Sequence, residues 1–324
     1  MGHMITRRRF IGISAAASGL SLLPFGTAHA AADAVVWRGR ALGGPAELIL
    51  HHPDRALART LVARVASEIA RLERIFSLHI PDSSLSRLNA AGALAAPPGE
   101  LVALLARCLD IWTASGGRFD PTIQPLWVLH ARHFSSPDVD PAGPGREDVE
   151  AALGLVGFGR VAFDANRIAF AKRGMALTLN GIAQGFITDR VIDLLRKAGV
   201  TNTLADIGEV RAMGRRGDGS PWRIGLGDAT QVVVLADRAV ATSSPEGFRF
   251  AGAGSPAHLL DPLTGLSASR YRRVSVLAPH AATADALSTV CSFLDPDGIA
   301  ALAGMFPAIE VHLLTNDGRR AHFG

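Results

Sequence analysis

The stretch HAATADALSTV, His280 to Val290, sets Asp285 and Thr289 four residues apart, with Ser288 between them. On a helix the carboxylate and the hydroxyl share one face. Two chemistries fit that face. Thr283 can cap a helix whose dipole Asp285 complements, or the oxygens can form one wall of a site for a hard metal ion. Other motifs offer less. GLVGFG (Gly154 to Gly159) has the glycine density of a phosphate loop, yet no strand precedes it and no Lys-Ser/Thr follows, so it reads as a turn. TSSPEG (Thr242 to Gly247) lacks the G-x-S-x-G elbow of a serine hydrolase. The histidines form no HExxH, and His51-His52 at a strand end are expected to face solvent. Cys108 and Cys291 sit in separate apolar helical patterns and read as two buried thiols rather than a disulfide or a zinc or haem site.

These residues need elements to hold them. Ala46 to His52 reads as a strand, and Ala56 to Phe76 as a helix with Leu57, Leu61, Val65, Ile69, Leu72 and Phe76 on one face. A second helix is expected over Gly99 to Ala114, and Ser115 to Trp127, with paired glycines and two prolines, as irregular. Pro137 to Gly145 is the candidate surface insertion. Met175 to Val200 reads as a β-like run, a turn at Asn180-Gly181, and a helix carrying Ile187, Val191, Leu194 and Leu195. That order brings backbone groups close to an anionic ligand. Short strands follow near 202–205, 222–226, 232–235 and 273–277, then a helix over about 282–293 and a last strand at 309–315. The mixture indicates an α+β fold, with mixed sheets and packed helices.

The first thirty residues bear on compartment. TRRRFIG (Thr6 to Gly12) fits a twin-arginine export signal, a weakly apolar segment runs from Ile11 to Gly26, and Ala28-His29-Ala30 supplies a cleavage pattern. The expectation is a periplasmic protein beginning near Ala31, one domain over 31–324, with no lipid-anchoring cysteine and no stable membrane span. Met1-Gly2-His3 reads as a cloning scar. The chain's formal charge is +4, and the leader's three arginines account for three of it. The remainder, about +1, has no dense basic run, which disfavours nucleic-acid binding.

Seven signatures in series, SLHIPDSSLSRLNA, GGRFDPTIQPLW, LTLNGIAQGF, PWRIGL, ATSSPEGF, HLLDPLTG and TADALST, resemble the flavin transferases of the ApbE type over nearly the whole length after the leader. The resemblance implies an ApbE-like fold in two intimate lobes. It also implies Mg2+-dependent transfer of FMN from FAD to a Ser or Thr hydroxyl of a periplasmic or membrane-attached acceptor protein, with AMP released. Attack on a pyrophosphate needs a hard cation with open positions. Asp285, Thr289, Ser288 and the Gly181 carbonyl are the implied metal ligands. His258 is the implied proton carrier, with Asp261 as its orienter or as an acid behind it. Leu42, His79, Arg118, Phe119, Asp120, Thr178, Gln184 and Leu260 fall where relatives contact FAD.

Several positions depart from the family's pattern. His79 replaces an aromatic tyrosine, Thr178 an acid, and Gln184 a Lys or Glu. Glu209, in DIGEV, replaces the second glycine of a Gly-Gly pair. These departures keep two rivals in view. One is a flavin-binding accessory protein for maturation of a respiratory reductase, as in the subgroup linked to nitrous oxide reductase; the other is a metal-dependent FAD pyrophosphatase.

Overall fold

A computed structural model describes residues 20–22, 34–136, 139–227, 231–251 and 255–324. The twin-arginine motif, the cleavage pattern and part of the 137–145 segment lie outside these. The strands are β1 (Leu20–Leu22), β2 (Ala34–Ala41), β3 (Gly44–His51), β4 (Ala93–Ala95), β5 (Val161–Phe163), β6 (Arg167–Phe170), β7 (Asn202–Asp206), β8 (Val210–Met213), β9 (Trp222–Leu226), β10 (Val232–Leu235), β11 (Ala239–Ser243), β12 (Tyr271–Ala278), β13 (Glu310–Thr315) and β14 (Arg320–Phe323). The helices are α1 (Arg55–Phe76), α2 (Ser84–Ala91), α3 (Gly99–Ala114), α4 (Gln124–His133), α5 (Arg146–Leu153), α6 (Ala183–Lys197), α7 (Ala281–Cys291) and α8 (Pro296–Met305). The chain is α+β, as its mixed patterns imply.

An eight-stranded sheet in the order β14-β13-β12-β11-β8-β7-β3-β2 forms the frame, and its neighbours pair antiparallel. Both faces of its middle are covered. Along β3, Leu48 and Leu50 join the main core with α1, α6 and α7, while Ile49 joins a second core under the β1-β9-β10 ribbon. Along β12, Val276 and Leu277 divide in the same way. The two-residue period of a strand sends alternate side chains into different cores. A strand buried on both faces therefore shows no alternation of apolar and polar residues.

Helix α1 begins where Asp54 accepts from the Ala56 and Leu57 amides at 2.8 and 3.0 Å. Its buried face runs through Ala58, Leu61, Val65, Ile69, Leu72 and Phe76. Leu57, expected on that face, is exposed, because the small Ala58 takes the place against the core. His51 also departs from expectation: it is half-buried, its ring 5.8 Å from that of Trp222. Met175 to Leu179 joins no ladder; its Leu177 exchanges hydrogen bonds with the Asn89 side chain, and the Thr178 amide donates to the Pro121 carbonyl. Cys108 and Cys291 are free and buried, and burial raises both thiol pKa values. A smaller apolar cluster, including Leu126, Trp127, Phe134, Phe250 and Leu260, joins α4 and α5 to the segment before Asp261. This is the second lobe.

Candidate active site between the lobes

The site is built on the crossing of α6 and α7. Gly185 permits it: a Cβ there would lie 2.4 Å from the Ala281 carbonyl oxygen and 2.7 Å from the Ala282 Cα. Across this contact the helices exchange carboxylates. Asp189 of α6 accepts from the Ala281 and Ala282 amides at 2.8 and 3.1 Å, so it caps α7, and it pairs with buried Arg211 at 2.5 Å. Asp285 of α7 returns the favour, accepting from the Gly185 amide at 3.2 Å in the first turn of α6. The start of α7 is therefore capped by a residue far away in the chain, and Thr283 lies inside the helix rather than at its cap. The capping reading of Thr283 is overturned.

Asp285, Thr289, Gly181, Gln184, Thr178, His258 and Leu260 all line one cleft. Arg118, Phe119 and Asp120 line an adjoining cleft that shares Thr178, Gly181, Leu260 and Thr289 with it. The other expected residues have different surroundings. Ser288 is buried; it donates to the Asp285 carbonyl at 2.8 Å and lies 2.7 Å from the Ser243 hydroxyl. Asp261 accepts from the Leu263 amide at 2.9 Å and its carbonyl accepts from Gly265, so it shapes the Thr264-Gly265 turn. Leu42 sits in the β2–β3 turn with φ of 48° and donates to Glu73 at 2.7 Å. His79 is half-buried beside Ser77. None of these four lines either cleft.

Chemically the larger cleft is acidic. Asp285 is buried and its carboxyl is pushed up to about 8, chiefly by burial, with the Asp189 charge adding to it against the Gly185 hydrogen bond. Glu209 enters the same wall fully buried and is raised well above the usual carboxylate range by burial, then by Asp285 and Asp206. Its Oε2 has no hydrogen-bond partner among the described residues. Among the described residues no Lys or Arg lines this cleft. Two buried acids without a basic neighbour are an uncompensated arrangement that a cation would relieve.

The hydroxyl chain points the same way. Ser288 uses its proton on the Asp285 carbonyl, so Ser243 donates to Ser288. Thr289 Oγ1, 3.5 Å from Ser243, keeps lone pairs for a ligand. His258 completes the wall. Its Nδ1 lies 2.9 Å from the Phe248 carbonyl, which can only accept, so Nδ1 carries the proton and Nε2 is the basic nitrogen. Burial lowers its pKa, which keeps the ring neutral near pH 7.

Asp120 holds the loop that shapes the smaller cleft. Its Oδ1 accepts from the Thr122 amide at 2.8 Å, and its Oδ2 accepts from Trp112 Nε1 at 3.0 Å and the Phe158 amide at 2.9 Å. That carboxylate is spent on positioning. Arg118 beside it has a buried Nε with no acceptor among the described residues. Gln124 and Trp127, on the first turn of α4, also line the larger cleft and were not singled out from the sequence. Their three-residue spacing in IQPLW was the available signal, masked by Pro125, which is tolerated in a helix's first turn. Ser243 and Ser244 were likewise visible only as part of TSSPEG.

Comparison with known proteins agrees with this architecture. Residues 42–313 match the ApbE family. The FAD:protein FMN transferase of Treponema pallidum is 30% identical over 81% of this chain and 82% of its own length, and that of Vibrio cholerae is 26% identical over 83% and 84%. Among solved structures, the ApbE protein of Thermotoga maritima superposes with a TM-score of 0.79 at 26% identity, covering 90% of this chain and 97% of that one. The apo flavinyl transferase ApbE of Pseudomonas stutzeri gives 0.76 at 28% identity, over 90% and 95%. With the match spanning the frame, both lobes and the cleft between them, the chain belongs to the ApbE family.

Proposed function

We propose that this protein is a magnesium-dependent FAD:protein FMN transferase that modifies a Ser or Thr hydroxyl of a periplasmic or membrane-attached acceptor. One observation carries the reading: an oxygen-only donor set without a basic neighbour shares a cleft with a neutral histidine whose Nε2 is available. The Asp285 carboxylate, the Thr289 hydroxyl and the Gly181 carbonyl suit Mg2+, which prefers oxygen and usually takes one or two carboxylates. When bound, the ion would neutralise charge on the pyrophosphate oxygens.

The chain's own residues supply the rest. Arg118 Nε, buried without an acceptor among the described residues, is placed to bind an oxygen of the ligand in the adjoining cleft. Trp127 and Leu260 give the larger cleft an apolar wall that excludes water from the reacting atoms. The acceptor hydroxyl oxygen attacks the phosphorus of the FMN half. The bond from that phosphorus to the bridging oxygen breaks, and AMP leaves with the bridging oxygen. His258 Nε2 takes the hydroxyl proton. The periplasmic setting rests on the Thr6 to Gly12 motif.

Incubating a candidate acceptor domain with the protein, FAD and magnesium, followed by intact mass spectrometry, tests the reading. The expected result is a gain of one FMN phosphoester that a chelator abolishes. A second reading, a flavin holder without transfer, is favoured by Glu209, whose buried carboxyl occupies cleft wall where the family's pattern has glycine. An unmodified acceptor with intact FAD, using an acceptor that a relative does modify, would select it. Release of FMN and AMP without any acceptor would instead select a pyrophosphatase.

A further inference from the structure

On the sheet's edge, away from any residue assigned above, three potential metal ligands meet. Glu310 and His312 are two apart on β13 and so share a face. His322 on β14 is the direct cross-strand partner of His312. One ligand atom from each of the three lies within 4.8 Å of the others. We propose that Glu310, His312 and His322 bind a late first-row divalent ion such as zinc, at a site separate from the flavin cleft.

The ordinary alternative is an ion pair between the histidines and Glu310. Three observations disfavour it. Glu310 already has its counter-ion, since Arg238 binds its Oε1. The Oε2 atom stands 3.8 Å from His312 Nε2 and 3.7 Å from His322 Nε2, too far for hydrogen bonds. His312 Nε2 is buried with no hydrogen-bond partner among the described residues.

An ion answers each point. Donors ~2.0–2.1 Å from a tetrahedral zinc stand ~3.3 Å apart, so the gaps at Glu310 close with adjustments of about half an ångström. The supports that metal ligands usually have are present. Arg238 holds the carboxylate through its other oxygen. Gln231 Nε2 lies 3.0 Å from His312 Nδ1, and rotating that amide offers its oxygen to an Nδ1 proton, leaving Nε2 for the ion. Two imidazoles and one carboxylate select zinc, copper or nickel over magnesium, and three protein ligands leave a fourth position for water.

The test uses tag-free, chelator-stripped protein and titrates Zn2+ by calorimetry with magnesium in excess to occupy the flavin cleft. One ion per chain should bind, and X-ray absorption at the zinc edge should show scattering from two imidazoles. His322→Ala, at a half-exposed position on the edge strand, should weaken binding at least about tenfold, with the melting temperature of the zinc-free protein unchanged. His312→Ala should do the same to binding. Glu310→Gln should weaken it while retaining imidazole scattering. Failure of the parent protein to bind zinc, or binding equally tight in His322→Ala, overturns the proposal.

Discussion

At Asp285 one side chain serves two purposes. Its Oδ2 receives the Gly185 amide, and the carboxylate also faces the cleft. Asp285→Ala therefore loses a helix cap together with a candidate metal ligand, and should cost about 1 kcal/mol of stability as well as metal-dependent turnover. Full activity in that variant, with magnesium still required, would remove the assignment. His258 acts through Nε2 while Nδ1 is anchored on Phe248. Exchanging it for Ala should lower kcat by roughly a hundredfold or more with FAD affinity little changed. The acid limb of the wild-type rate profile, lying below the ordinary 6.5 because burial depresses the ring's pKa, should vanish with it. A defect confined to FAD binding would make His258 structural instead.

At the scale of elements, the α6–α7 crossing fixes the site, and it is rigid for a countable reason. Gly185→Ala forces a methyl against the Ala281 carbonyl and should destabilise by about 1–3 kcal/mol. Asp189→Ala leaves Arg211 buried and unpaired and should cost about 3–5 kcal/mol. Denaturant midpoints measure both, and a loss below half a kcal/mol in either would show that the crossing relaxes freely. The same crossing shows what a sequence conceals. Helix α3 and strands β9 and β10 were legible because their signals are local: apolar period, turn residues, Pro and Gly boundaries. The cap of α7 was not, because Asp189 stands 92 residues earlier than the Ala281 amide it receives. Met175 to Leu179 has the composition of a strand, yet Asn89 and Pro121 take the hydrogen bonds that a ladder would have used. The cleft residues read from family motifs converge for the most part, while Gln124 and Trp127 were hidden behind a proline that ends nothing.

Across the whole molecule, the second lobe carries a titrating group of its own. His130 packs against both Phe134 and Phe250, its ring centroid 6.4 and 5.5 Å from theirs. Burial, with the neighbouring His133, depresses its pKa from 6.5 to about 4. A group depressed on folding contributes stability that is complete above 6.5 and is lost as pH falls toward 4, because the unfolded chain takes up the proton first. Thermal melts should therefore show an acid limb across that window, and His130→Phe should flatten it without loss of stability at pH 8. An unchanged limb would place the acid sensitivity elsewhere. The exchange of carboxylates between α6 and α7 has one more consequence. An asparagine at position 285 keeps a carbonyl oxygen for the Gly185 amide but has no negative charge for a cation. Asp285→Asn should therefore yield a folded, stalled protein, suited to holding FAD and its acceptor together long enough to be isolated as one complex.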